Sequence, residues 1–216
     1  MTTTSAKVAD AGRRVAPLAL GFAGAALAAY PILRPYAAAG GDTAAQFASM
    51  LWPLSHLLGM AGFVAIALAR SARTRSPLAW LAASFLLPYY GAEALGLHAV
   101  GEHVGQAAEV AATAEAFRYG GLSLALFAVG LVLLGAVGVQ IFRQARDGAP
   151  LARWSSAAVG LGLVTYLPQF FLPAPGRMLH GVVLGAGLVA LAIAEHRQGT
   201  GSPAPIGRAP APLGHL

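Results

Sequence analysis

Cysteine is absent from the 216 residues, which excludes a disulfide framework, a thiolate metal site and a cysteine nucleophile. Asparagine is absent too, lysine occurs once (Lys7), and charged residues make up only 10% of the chain. A soluble domain of average composition carries roughly a quarter charged residues. This chain therefore lacks the polar surface to cover itself in water.

What is there instead is apolar. Hydrophobic residues make up 57% of the sequence and the mean hydropathy is +0.65. Lipid is the expected solvent, and the bilayer the principal partner. Abundant Ala, Gly, Arg and Pro, set against scarce Lys and Asn, read as a GC-rich bacterial genome. The expected location is a bacterial inner (plasma) membrane. The formal charge of +6 and the pI near 10.3 do not indicate nucleic acid, because the basic residues lie scattered between apolar runs, without a dense patch or interleaved aromatics.

Residues 1–12 read as a flexible cytoplasmic leader and 197–216, rich in Pro, Gly and Ala, as a disordered tail. Between them, residues 13–196 read as one bundle of six spans, about 15–33, 48–69, 77–100, 119–142, 154–172 and 178–194. Long continuous apolar runs exclude a barrel, so the fold class is all-α and polytopic. Ala26-Leu27-Ala28 offers a signal-like cleavage site, but the first apolar run is long for a signal. Its small residues Gly21, Ala25 and Ala29 suit helix packing, and an uncleaved helix is expected. Pro88 predicts a kink in the third span. The polar, alanine-rich stretch 101–118 reads as a surface helix or an extension of that span.

Arginine and lysine placement predicts the orientation. With both termini inside, eleven of the 14 basic residues fall on the inner side, and only Arg34, Arg118 and Arg177 fall outside. That is the positive-inside pattern.

The polar residues within the spans then gather toward the outer side. Glu93 is the one acid lodged well inside an apolar run, and such a residue is a functional-site candidate by default. His56 lies about 21 Å above the inner end of its helix and His180 about 22 Å above its own, at 1.5 Å per residue. Tyr89 reaches a similar level, and Tyr89 and Tyr90 share a helical face with Glu93. With Gln169, these residues form the candidate pocket: Glu93, Tyr89, Tyr90, His56, His180 and Gln169. Pro88 and Pro168 would supply the broken helices that line membrane binding sites.

Several readings of this cluster stand side by side. As a ligand or ion pocket, Glu93 titrates or binds a cation. As a metal site, His56, His180 and Glu93 are the ligands. As a haem site, His56 and His180 meet the matched depth that two axial ligands on facing helices require. As a structural device, Glu93 pairs with Arg177 or a histidine and holds the bundle together. No H-E-x-x-H, phosphate loop, nucleophile elbow or dinucleotide fingerprint is present. The spans around 62–69 and 187–194 resemble each other, as an internal duplication would produce and as chance would in a chain this rich in Ala, Leu, Gly and Val. Gly181-x-x-x-Gly185 predicts close helix packing, within the bundle or between two copies in a homo-oligomer.

The expectation is a non-enzymatic membrane protein with an outward-facing polar pocket, transporting or sensing a small solute or ion, with no cofactor favoured. The alternatives are a metal- or haem-binding membrane enzyme or electron carrier, and a partner subunit without a site of its own.

Overall fold

The computed structural model describes residues 2–36, 41–74, 76–104, 106–144 and 149–200, with side chains from Arg14 to Gln198. Arg75, residues 145–148 with Arg146 and Asp147, and residues beyond 200 lie outside the described residues. The expected leader is described only as backbone.

Every described element is helical. Helix α1 spans Thr2–Leu33, so it begins within the expected leader and continues through Pro17 and Pro31. It is followed by α2 (Thr43–Ala48), α3 (Leu51–Thr74) and α4 (Leu78–Gly91). A π-helical turn, Ala92–Gly96, connects α4 to α5 (Leu97–His103). Then come α6 (Ala107–Tyr119), α7 (Gly121–Gln144), α8 (Pro150–Val164), a 3-10 turn at Pro168–Phe171, and α9 (Ala174–Thr200).

Four helices are long and apolar enough to cross a membrane: Arg14–Leu33, Leu51–Thr74, Gly121–Gln144 and Ala174–Gln198. The other two apolar runs are interrupted. The helix of residues 78–103 changes register at its π turn, a little beyond the proline expected to kink it. Helix α8 stops at Val164, ahead of Pro168, whose ring disfavours helix in the residue before it.

The long helices form a closed ring in chain order. Helix α1 packs on α3, α3 on α4, α4 on α7, α7 on α8, α8 on α9, and α9 returns to α1. Glycine makes the closing contact. A Cβ added to Gly24 would lie 2.6 Å from the Gly185 carbonyl oxygen, so only glycine there lets the two backbones approach. Gly181 also faces α1, against Pro31, so both glycines of the G-x-x-x-G pair pack within the chain.

Inside the ring lies a core of Leu27, Phe63, Leu86, Tyr90, Leu134, Leu163, Tyr166 and Leu184. Outside it, Leu122, Val132, Leu161 and Leu179 are exposed. An apolar exterior around an apolar core is what a lipid-facing bundle requires.

At one end, α2, α5 and α6 build a cap with its own core of Phe47, Trp52, Leu97, Val110 and Ala114. Asp42 starts α2 by accepting hydrogen bonds from the Ala44 and Ala45 amides at 2.8 and 3.3 Å. His98 Nδ1 meets the Phe47 carbonyl at 2.7 Å, and Gln46 donates to the Pro35 carbonyl at 2.9 Å. These bonds tie α5 and the end of α1 to α2. At the opposite end, Arg70 donates to Gln144 at 2.9 Å and Arg73 pairs with Glu195, joining α3 to α7 and α9.

Candidate functional site

Glu93 sits on the π turn, under the cap. A π turn inserts one residue into an α-helix, shifts the side chains beyond it, and is frequent at functional sites. The carbonyl of Glu93 accepts a hydrogen bond from the Trp52 indole at 2.6 Å. Trp52 is fully buried, and this bond fixes the π turn to the start of α3.

The Glu93 side chain is 5% exposed and fully engaged. Arg118, from the end of α6, donates Nε to Oε1 at 2.6 Å and Nη2 to Oε2 at 3.0 Å. Planar two-point pairing of this kind is strong and geometrically specific. The Tyr89 hydroxyl donates more weakly to Oε1 at 3.4 Å. His56 brings Nε2 to 3.8 Å from Oε2. Its Nδ1 lies 2.7 Å from the Trp52 carbonyl, which can only accept, so Nδ1 carries a proton.

Aromatic rings hold these groups in place. The His56 ring is packed against Trp52, Tyr30 and Tyr90, with centroids at 4.4, 5.4 and 5.9 Å. Two guanidinium groups also approach the Trp52 ring, Arg34 at 4.8 Å and Arg118 at 5.8 Å. Arg118 extends over Phe47 as well, at 5.4 Å. Burial alone would lower the Arg118 pKa, but the Glu93 carboxylate more than offsets this and raises it above its ordinary value.

A cavity of about 350 Å³ opens beside this cluster. Its charged lining is Arg34, Arg118, Arg177 and Glu93, with His56, so three arginines face one carboxylate. Tyr30, Tyr89, Tyr90, Phe127 and Phe170 form aromatic walls. Arg177 is anchored by its donations to the carbonyls of Leu172 at 2.8 Å and Phe170 at 2.6 Å. The Nε of Arg34 is buried and has no hydrogen-bond partner. Next to it, burial raises the Tyr36 pKa above its ordinary value while Arg34 pulls it back, so the phenol is neutral at pH 7.

Of the six candidate residues, Glu93, Tyr89, Tyr90 and His56 line this one cavity. His180 and Gln169 are not among its lining residues. His180 Nε2 lies 3.2 Å from the Thr165 hydroxyl and 3.0 Å from the Gly162 carbonyl, with its ring against Tyr166. Gln169 is buried in the 3-10 turn that leads into α9. Among the described residues, no group of three or more His, Cys, Asp or Glu could hold a metal ion. Of the partners weighed for Glu93, Arg177 or a histidine, the structure brings a histidine, His56, to 3.8 Å, and the two-point partner is Arg118. Arg118, Arg34 and Trp52 are the site residues that sequence reasoning passed over. For the two arginines the one prior signal was that the three assigned to the outer side, Arg34, Arg118 and Arg177, are the three that line this cavity; Trp52 had none.

Neither a family model, nor a curated protein, nor a solved structure matches the chain.

Proposed function

We propose that this is a six-span membrane protein, with both termini inside, whose capped end faces outward and holds a binding pocket for a small solute that it transports or senses. The observation that carries the reading is the 350 Å³ cavity beside a buried charged cluster, at one end of a bundle with an apolar exterior. That volume falls at the lower end of the roughly 300–1,000 Å³ range of small-molecule sites. The two interrupted runs complete the count of six. Residues 78–103 are helical throughout despite the π turn. The 15 residues of α8 rise about 22 Å, and the 3-10 turn continues toward the roughly 30 Å of hydrocarbon. Placing the cap outside puts Arg34, Arg118 and Arg177 there, in agreement with the arginine distribution.

A structural role for Glu93 has its own support, because both carboxylate oxygens are already paired. The two readings are compatible: the ion pair shapes the pocket wall, and the remaining cavity receives the solute.

A thermal-shift screen of small solutes on the purified protein tests the proposal. Compounds that use the pocket should stabilise the native protein and leave Ala128→Trp, which fills the cavity from α7, unaffected. A screen in which no solute stabilises the native protein, or in which both proteins respond alike, would overturn it.

A further inference from the structure

The pocket reading leaves the ligand's chemistry open, and resting on that reading, we propose that the cavity takes an amphiphilic anion: one carboxylate or phosphate head on an apolar body. The head would lie between Arg34 and Arg177, and the body would leave past Leu124, Leu167 and Phe171.

Charge decides the head. Glu93 is the only carboxylate in the lining, and its two oxygens are taken by Arg118. A cation entering the cavity would find no free counter-charge and would meet three guanidinium groups. Arg34 and Arg177, by contrast, have no carboxylate partner among the described residues. Two like charges sharing a cavity walled by aromatic rings repel each other more than they would in water. An anion between them removes that repulsion. The planar guanidinium fork also matches the oxygens of carboxylate and phosphate.

The rim decides the body. Leu124, Leu167 and Phe171 line the cavity and are 46, 40 and 85% exposed, and Tyr119 beside them is 71% exposed, so the exposed part of the lining is largely apolar. In a membrane that surface meets lipid. A fully hydrated inorganic anion would gain nothing from such a mouth, whereas an acyl or similar chain would be buried by it.

The test is a titration of the protein in phosphatidylcholine nanodiscs, with empty discs as blank. The probes are decanoate, decanol and decyltrimethylammonium, which share a chain and differ in head charge. Decanoate should bind at least tenfold more tightly than either of the others. Arg34→Gln and Arg177→Gln should each weaken it at least tenfold, with Arg34→Lys retaining more affinity than Arg34→Gln. Equal binding of decanol and decanoate would overturn the anion assignment while leaving a pocket in place. Absence of decanoate binding would overturn it as well, and the solute screen reports on the pocket separately. The comparison of heads uses the native chain, so it stands even where an arginine variant fails to fold. Repeating the titration in discs containing phosphatidylglycerol separates the two sources of such a head. Competition by that lipid assigns the site to membrane phosphate, and undiminished decanoate binding assigns it to a free organic acid.

Discussion

Arg118 grips Glu93 at two points, Nε to Oε1 at 2.6 Å and Nη2 to Oε2 at 3.0 Å, across the gap between the cap and the π turn. The partners differ in environment. The Arg118 side chain is 29% exposed and the Glu93 side chain only 5%. The pair therefore links a cation that water can still solvate in part to an anion that is largely shielded from water.

That asymmetry predicts unequal costs. Arg118→Ala leaves a buried charge alone, and breaking a buried pair this way costs about 3–5 kcal/mol, here nearer the lower figure because Arg118 is partly solvated. Glu93→Gln leaves only the half-exposed arginine and should cost about 1–2 kcal/mol. In the double variant the loss should fall short of the sum by about 1 kcal/mol or more. Unfolding in mixed micelles measures all three, and strictly additive losses would show that the pair is not coupled.

Trp52→Phe should destabilise by about 1–3 kcal/mol, because it leaves the buried Glu93 carbonyl without its indole donor. It also replaces the larger ring that Arg34 and Arg118 approach with a smaller one. Thermal melts check the first effect. If Trp52→Phe melted with the native protein, the indole would not be anchoring the π turn.

The helical class and the apolar runs were legible in the sequence because lipid imposes a length and composition that survive without any knowledge of neighbours. The association of Tyr89, Tyr90 and Glu93 was legible for a similar reason: residues three and four apart share a helix face. Arg118 was not legible as the partner of Glu93. That contact depends on α6 folding back over α4, a relation between elements that no local pattern encodes. The positions of His56 and His180 show the same limit. Depth along a helix can be counted, but rotation about its axis and the identity of neighbouring helices cannot, and His180 is bonded to α8 instead of lining the cavity. The register shift at Ala92–Gly96 has no strong signature of its own, and Pro88 predicts only a kinked helix for the third span.

Helix closure between α1 and α9 should be intolerant of a single methyl. A Cβ on Gly185 would lie 2.7 Å from the Ala28 Cβ and would press on the Gly24 carbonyl as well. Gly185→Ala should cost about 1–3 kcal/mol through overpacking. Gly135→Ala, where a Cβ meets nothing within 4 Å, should be neutral or stabilising by up to about 1 kcal/mol. Melting temperatures of the two variants compare them directly, and equal behaviour would contradict the closed ring.

The absence of cysteine makes the proposed topology simple to test, since any introduced thiol is the only one. Thr113→Cys on the exposed face of α6 should react with a membrane-impermeant maleimide in intact cells. Thr74→Cys at the opposite end should react only after the cells are opened. The reverse pattern would invert the orientation and place the pocket inside.

The π turn offers the sharpest test of how local structure makes the site. Deleting Gly96 should restore a regular α-helix from Leu78 onward, because the extra residue is what a π turn contains. The five residues of this π turn take up about the rotation of four in an α-helix, so α5 and the cap keep their face when the extra residue goes. The turn itself tightens, and Glu93 changes its angle relative to α3 and the cap. Its carbonyl would leave the Trp52 indole, and its carboxylate would no longer meet Arg118 at two points. Gly96→Ala keeps the residue count, and its Cβ meets nothing within 4 Å, so it should fold normally. The expected result is a Gly96 deletion that loses both cap stability and decanoate binding while Gly96→Ala retains them. Protection of the α5 and α6 amides from hydrogen exchange reports the first loss and titration the second. A deletion variant that kept both would show that the inserted residue does not set the geometry of the pocket.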